Sequence, residues 1–391
     1  MTLTEKIYFN LFIRRVYNYF YRITHGNLNI KNKEADILIG LSDLHFFEHT
    51  KDLIFNWHEK TFKIITPTFG TDKRRIDIFS FFERLGYKIG DELIPYPYAK
   101  QLNYKIYIEM AISGFHADLR CPKLLYTHGM GGLNFGKDYE MIKYVHRYRA
   151  LLLNGPLQKR ALEIAARLYN VKLPELFEVG YLRGDRLRKM MKSYNKNKFY
   201  KNYNLQNKVP IVLYAPTWGD FSSVKEWIDT VCEVCEKLGV YLFIKLHPLM
   251  LTYKDANKTS GINWDEKLKQ LKNKFTMVNI WQEQDIDEIM LASDVMITDV
   301  SGMGLEYMVL EKPVVFLPAP KYFEIYGDER PEKWVRPERE IQSAEELSLY
   351  IKQSLIKQNS YDLNKLIYNL DLSLLKIKEV IVFFLENANV K

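Results

Sequence analysis

The sequence predicts an α/β protein in which two mostly parallel sheets, each covered by helices, face one another across a cleft. Three observations carry that expectation. From residue 36 onward, short apolar runs alternate with amphipathic stretches, the rhythm of successive βαβ units. Around 193–209 (SYNKNKFYKNYNLQNKV) this rhythm gives way to Asn, Lys and Tyr without an apolar period, which reads as a linker. At Pro210 the alternation restarts and continues to about residue 345. The spacing therefore predicts a first domain over 25–192, a linker over 193–209, a second domain over 210–345, and a helical tail over 346–391 that packs back towards the first domain. A cleft between two such domains is a common place for a small-molecule site.

Taken in order, residues 1–24 read as a basic, aromatic, amphipathic helix. Ile7, Leu11, Phe12, Val16 and Phe20 can share one face, with Lys6, Arg14, Arg15 and Arg22 elsewhere. Such a helix either lies on an anionic membrane surface or packs on its own domain or on a second subunit. In the first domain the apolar runs predict strands at Asp36–Gly40, Phe62–Thr66, Tyr104–Ser113, Lys123–Thr127, Ala150–Leu153 and Phe177–Val179, with helices around Arg74–Leu85 and Leu157–Leu168. Between the first two strands, His45 and His49 stand four apart and His58 follows. On a helix the first pair shares a face, as metal ligands can, but no third ligand stands at a telling spacing, so a solvated or interdomain helix is expected.

In the second domain the same reasoning predicts strands at Pro210–Tyr214, Val240–Leu246, Thr276–Val278, Val295–Thr298 and Val314–Leu317. Helices are expected at Ser222–Leu238, Asp265–Lys272, Asp285–Ala292 and from Gly302 to about Leu310. Cys232 and Cys235 form a C-x-x-C inside the Ser222–Leu238 helix. Without a second pair or a loop setting they are expected to be structural rather than redox-active or zinc-binding.

Composition narrows the functional classes. The chain has 391 residues, 47% apolar and 14% aromatic, which fits large packed cores and excludes a disordered chain. No apolar run reaches the ~18 residues of a membrane span, and no signal-peptide pattern opens the sequence, so a cytoplasmic protein is expected. The net charge of +8 favours anionic partners. No nucleic-acid module accompanies it, and nucleic acid is not expected as a partner. Three cysteines imply no disulfide framework.

Four strand ends carry the residues that chemistry needs. Tyr126–Gly132 (YTHGMGG) closes a strand with His128 followed by Gly129 and more glycine, so that histidine can face the cleft as a general base. Tyr214–Asp220 (YAPTWGD) places Thr217 and Trp218 where a hydroxyl and an indole suit a nucleotide. Phe243–Pro248 (FIKLHP) closes another buried strand with His247. Asp294–Pro318 reads as strand, polar turn, helix and strand. Thr298, Asp299, Ser301 and Gly302 there form a βα turn of the kind that receives a phosphate at a helix N-terminus, or else a plain capping turn. All four lie where the carboxyl edge of a parallel sheet meets the cleft.

These motifs, together with Val179–Leu187 (VGYLRGDRL), resemble the CDP-glycerol glycerophosphotransferase family of teichoic-acid-type polymerases and primases. The resemblance covers roughly 120–320 and keeps the order and rough spacing of five motifs. It implies a GT-B architecture of two Rossmann-like domains. It also implies transfer of an alditol phosphate, glycerol phosphate first, from a CDP-linked donor to a hydroxyl of a cell-surface glycan or lipid-linked acceptor, releasing CMP. By that resemblance His128 is the base on the acceptor hydroxyl, and His247 lies near the donor phosphates. Thr217 and Trp218 match the family's P-T-W. Thr298, Asp299, Ser301 and Gly302 match its T-D-Y-S-S loop on the donor pyrophosphate. Arg183 and Asp185 match its G-Y-P-R-N-D, with a structural or cleft-lining role.

Two departures bear on donor identity: Val300 stands at the family's loop tyrosine and Gly302 at its second serine. No cofactor and no metal are expected, since no Asp-x-Asp stands ready to hold a cation on a diphosphate. A peripheral place on the inner face of the cytoplasmic membrane goes with the first helix. The rival readings are a surface-polysaccharide glycosyltransferase using a nucleotide sugar or CMP-linked sugar acid, and a non-catalytic nucleotide-binding component of an envelope-assembly complex.

Overall fold

The computed structural model describes residues 18–24, 26–41, 45–66, 73–111, 119–130, 140–220, 222–252, 256–283, 285–327, 331–337, 340–356 and 361–387. The first sheet is built from β1 (Glu34–Gly40), β2 (Phe62–Thr66), β3 (Leu93–Pro95), β4 (Asn103–Glu109), β5 (Lys123–Tyr126), β6 (Ala150–Leu153) and β7 (Glu175–Glu178). Its strand order is β3-β2-β1-β4-β5-β6-β7, parallel throughout. The second sheet holds β8 (Ile211–Tyr214), β9 (Tyr241–Ile244), β10 (Val278–Ile280), β11 (Val295–Thr298) and β12 (Val314–Phe316), in the parallel order β10-β9-β8-β11-β12.

The helices used below are α1 (His45–Phe55), α2 (Pro156–Leu168), α3 (Leu182–Ser193), α4 (Lys196–Asn202), α5 (Val224–Leu238), α6 (Asp287–Ala292), α7 (Gly302–Met308), α8 (Ala344–Ile356) and α9 (Ser373–Glu386).

The strands are short continuous apolar runs because both faces of each sheet are covered, so neither face calls for polar residues. Val295–Thr298 and Ala150–Leu153 are buried at every position. One face of the first sheet packs Ile37, Ile39, Ile106 and Leu124 against Phe46, Phe47 and, from the C-terminal helix, Ile377 and Ile381. The second sheet packs Val212, Leu242 and Val295 against Ile228, Val231 and Cys235 of α5. Cys232 and Cys235 are buried there as free thiols, and burial pushes Cys232 up to about 12, so it is a core residue rather than a reactive one.

In each sheet the strand order reverses at one place, between β1 and β4 in the first and between β8 and β11 in the second. In open α/β sheets ligands bind beyond the carboxyl ends of the strands at such reversals, because adjacent loops there diverge to opposite faces and leave a crevice.

Several features depart from the sequence-based expectation; the strand expected at Thr276–Val278, for instance, lies at Val278–Ile280. The edge strand β3 was not foreseen: it is three residues long and ends in Pro95, too short for a period and tolerable only at an edge. The 193–209 stretch joins the two sheets but is not a bare linker. It holds α4, whose Phe199 and Tyr200 are buried with Phe243 and Trp281 of the second domain. The tail divides: α8 packs on α5 and β12 of the second sheet, whereas the rest returns to the first, the 363–369 segment against α2, Asn154 and Glu178 and α9 against β4 and α3. Of the expected N-terminal helix, 1–17 lie outside the described residues. Residues 18–24 are helical, with Tyr19, Phe20 and Ile23 exposed and Asn18 buried. Among the described residues no helix is long and apolar enough to cross a membrane.

Candidate active site

His128 lies just past β5 and leans over the end of β4, beside the reversal point of the first sheet. Both its backbone N–H and its ring Nδ1 meet the Met110 carbonyl, each at 3.0 Å. A carbonyl only accepts, so the neutral ring carries its proton on Nδ1 and its lone pair on Nε2. That is the tautomer a general base needs. Phe46 of α1 packs on the ring at 4.6 Å between centroids. The turn itself is pinned from β6 and α2. Asn154 Nδ2 donates to the carbonyls of Thr127 (3.0 Å) and Gly129 (2.7 Å), and Gln158 donates to the Thr127 hydroxyl. Gly129 has φ +73°, the left-handed conformation that glycine adopts without strain. The following glycines, Gly131 and Gly132, lie outside the described residues.

His247 is half-buried three residues past β9 and shows the opposite arrangement. Its Nδ1 accepts the Leu249 N–H at 3.2 Å, so the neutral ring carries its proton on Nε2 and offers a donor there. Trp218 lies 6.0 Å from it between centroids, and Trp218 and Thr217 are both half-buried. The loops after β8, β9 and β11 are thus brought to one edge of the second sheet.

The 298–302 turn separates into supports and exposed groups. Thr298 is fully buried and donates to the Ala215 carbonyl at 2.7 Å. Asp299 is also fully buried. Its Oδ1 accepts the N–H groups of Thr217 (2.8 Å) and Val300 (2.7 Å), and its Oδ2 accepts the Ser222 hydroxyl (3.1 Å) and the Ser223 N–H and hydroxyl (both 2.9 Å). Asp299 therefore ties the loop after β8 to the turn after β11 across the reversal point, and its lone pairs are directed inward. That arrangement does not fit direct contact of Thr298 or Asp299 with a phosphate.

Ser301 and Gly302 are half-exposed. Ser301 caps α7 by accepting the Met303 N–H at 3.4 Å, and the space beside the Gly302 Cα is open. Val300, at the position of the resembled family's tyrosine, is buried with Ala319 and Tyr322. Behind the turn Arg336, buried, donates to the carbonyls of Asp299 (2.8 Å) and Leu317 (2.7 Å). Sequence reasoning missed Arg336, which lies 37 residues beyond Asp299 with no motif around it.

Arg183 and Asp185, expected in a structural or cleft-lining role, are both held in structural bonds. Arg183 is 4% exposed and crosses from α3 to the second domain. It meets Asp287 of α6 through Nη2 (2.7 Å) and Nε (3.1 Å), and Glu306 of α7 through Nη1. Arg186 joins Asp287 (3.2 Å) to Glu48 (3.3 Å) and Asp52 of α1. Together they form a buried ionic junction between the domains. Asp185 points away from it and accepts the N–H groups of Asp371 (2.9 Å) and Ser373 (2.8 Å), so it anchors the start of α9.

Among the described residues Glu48, Asp285 and Asp287 bring carboxylate oxygens within 4.8 Å of one another. Asp287 is engaged by both arginines and Glu48 by Arg186. Burial and the nearby Arg183 charge push Lys245, at the end of β9, down to about 8, with Glu306 opposing them.

The junction also reaches His128. A Cβ on Gly129 would lie 4.0 Å from Glu306 Oε1, so the turn carrying His128 borders a carboxylate of the other domain. His49 of α1, expected to be solvated or interdomain, is buried beside His128 at 6.0 Å between ring centroids and bonds the Tyr181 hydroxyl at 3.1 Å.

Comparison with known proteins agrees with this fold. Over 125 residues the chain is 29% identical to the teichoic acid glycerol-phosphate primase of Bacillus subtilis (strain 168), covering 31% of this chain and 29% of that one. Over 173 residues it is 27% identical to the teichoic acid glycerol-phosphate transferase of Staphylococcus aureus (strain NCTC 8325 / PS 47), covering 41% and 39%. The matched stretch thus spans well under two thirds of either relative. Among solved structures, the wall teichoic acid polymerase TagF superimposes with a TM-score of 0.63 at 15% identity, over 97% of this chain and 98% of that one. A UDP-GlcNAc 2-epimerase from Methanocaldococcus jannaschii gives 0.58 at 13%, over 90% and 99%. At such identities the superpositions establish the fold alone, which is the expected GT-B type. Residues 137–365, more than half of the chain, match the family described as CDP-Glycerol:Poly(glycerophosphate) glycerophosphotransferase, and the chain belongs to that family.

Proposed function

We propose that this protein transfers glycerol phosphate from CDP-glycerol to a hydroxyl of a glycan or lipid-linked acceptor and releases CMP. The observation that carries the reading is the pair of histidines at the carboxyl edges of the two sheets, held in complementary tautomers, in a chain of this family. His128 Nε2 takes the proton of the acceptor hydroxyl as its oxygen attacks the glycerol-bearing phosphorus. The bond from that phosphorus to the bridging oxygen breaks, CMP leaves, and glycerol phosphate remains on the acceptor as a phosphodiester. His247 presents its Nε2–H to the phosphate oxygens on which charge builds. Phosphoryl transfer is mainly positioning and electrostatic stabilisation, and these groups supply both.

The remaining parts take supporting roles. Ser301, Gly302, Thr217 and Trp218 line the donor side, and Lys245 adds a positive charge behind it. Asp299, Thr298 and Arg336 hold the donor turn rigid without touching the donor. The reaction draws on the donor as a substrate and on no resident cofactor. It is set on the cytoplasmic side of the membrane, where a lipid-linked acceptor would present its hydroxyl. The test is calorimetric binding to purified protein of CDP-glycerol, CDP-ribitol, a CMP-linked sugar acid and UDP-sugars. Selective binding of CDP-glycerol supports the reading. Preference for a nucleotide sugar moves the protein to the glycosyltransferases, and donor binding without turnover over a wide acceptor panel makes it a non-catalytic component.

A further inference from the structure

Three buried polar side chains lie between the donor turn and His128, and the transfer described above uses none of them. Glu306 belongs to α7, the helix that starts at the donor turn, and is 5% exposed. Its Oε1 accepts the Tyr181 hydroxyl at 2.8 Å, while its Oε2 pairs with Arg183. Tyr181, fully buried after β7, also lies 3.1 Å from His49 Nδ1 through the same hydroxyl. The His49 ring stands 5.8 Å from that of Tyr181 and 6.0 Å from that of His128, centroid to centroid.

The protons in this chain can be assigned. Paired with Arg183, the Glu306 carboxylate has only lone pairs to offer, so the single phenolic proton of Tyr181 goes to it. Burial and Glu306 push the Tyr181 phenol well above its ordinary value, so that proton stays in place. The phenol oxygen must then accept from His49, which places a proton on Nδ1 of that ring and, in the neutral ring, the lone pair on Nε2. Each link comes from a different element: α7 of the second domain, the segment after β7, and α1 of the first. The turn carrying His128 borders the same carboxylate, since a Gly129 Cβ would lie 4.0 Å from Glu306 Oε1.

On the reading of His128 as the acceptor base, we propose that His49 and Tyr181 are positioning residues for that base, and that Glu306 makes their setting depend on the donor turn. When a donor occupies the turn and shifts α7, Glu306 moves with it. The acceptor of the Tyr181 proton is then displaced, and His49 and the ring beside it respond. The acceptor side is thereby aligned for attack only when the donor side is filled. A merely structural clamp would need the Arg183 ion pairs and the packing of the Tyr181 ring, but not its hydroxyl.

Tyr181→Phe removes the hydroxyl alone. Imidazole nitrogen spectra of ¹⁵N-histidine-labelled protein, with His49, His128 and His247 assigned by substitution, read the chain without any ligand. The expected result is His49 in the Nδ1–H form, with Y181F shifting the His49 and His128 nitrogens and leaving those of His247 in place. Addition of CDP-glycerol should move the His49 and His128 signals in the wild type far more than in Y181F. In turnover, Y181F should lower kcat about tenfold with the donor KM within about twofold of wild type. His49→Asn, which leaves the Tyr181–Glu306 bond intact, should shift the His128 nitrogens and lower kcat in the same way. His49 in the Nε2–H form, His128 nitrogens indifferent to both variants, or kcat unchanged in both would overturn the proposal. If the wild type neither binds CDP-glycerol nor releases CMP from it, the proposed function fails. The ligand-free spectra then still decide whether the chain controls the setting of His128.

Discussion

Replacing Arg183 with Met tests the junction that holds the two domains in register. The substitution keeps an unbranched apolar stem and removes a guanidinium whose side chain is 5% exposed, facing Asp287 at 3% and Glu306 at 6%. Asp287 retains Arg186 at 3.2 Å and Glu306 retains the Tyr181 hydroxyl, so neither carboxylate is left bare. Removing one partner of a buried ion pair costs about 3–5 kcal/mol, and the surviving partners place this case near the lower end, about 3 kcal/mol. For a cooperative unit of 391 residues the melting midpoint should fall by about 4 °C.

The effect has a defined pH dependence. Burial alone would raise the Asp287 carboxyl, but the Arg183 and Arg186 charges override it and hold the group below its ordinary value. A carboxyl depressed in the folded state contributes stability that is present above its unfolded pKa of about 4 and is lost as pH falls through the folded value. The gap between wild type and R183M should therefore be full near neutrality and shrink on acidification below about pH 4. Thermal unfolding followed by tryptophan fluorescence, at neutral and acid pH, measures both. A midpoint at neutral pH lowered by less than about 2 °C, or a gap that does not change with pH, would refute the reasoning.

Three other outcomes follow from the site. Lys245 is pushed down to about 8, so if its ammonium supports donor binding, the KM for CDP-glycerol should rise as pH passes that value, and K245M should abolish the rise. A wild-type KM that stays flat between about pH 7 and 9 counts against that role. Asp299→Ala removes the acceptor of five hydrogen bonds around the 298–302 turn. It should cost about 2–4 kcal/mol and weaken donor binding together with stability. A stable variant with lost binding would instead mean that Asp299 meets the donor directly. Asp185→Ala leaves the N–H groups of Asp371 and Ser373 without their carboxylate. It should cost about 1–2 kcal/mol and speed proteolytic release of α9, and unchanged cleavage would contradict the anchor.

The sheets were legible in the sequence because buried parallel strands are written as short apolar runs closed by turn residues. Phe62–Thr66, Ala150–Leu153 and Val295–Thr298 lie where the runs place them. The tripeptide β3 and the helix α4 were not legible. The first is shorter than any period, and the second is buried by only two aromatics, Phe199 and Tyr200, in an otherwise polar stretch. The positions of His128, His247 and the 298–302 turn could be read because they follow strands. The directions of their side chains could not. Asp299 and Ser301 look alike as capping residues, yet one is wholly buried and the other borders the cleft. The chain through His49, Tyr181 and Glu306 was out of reach for the same reason: its links are separated by 132 and 125 positions, and only the two-domain packing brings them together.

The most direct test of the account is the rate of CMP release from CDP-glycerol by the purified protein with a hydroxyl-bearing glycan or lipid-linked acceptor, compared between wild type and His128→Asn. The expected result is CMP formed one for one with acceptor-bound glycerol phosphate. H128N should show a kcat at least about 100-fold lower at unchanged donor affinity. An H128N rate within a few-fold of wild type would remove His128 as the base. Turnover of a nucleotide sugar in place of CDP-glycerol would leave the fold and overturn the reaction.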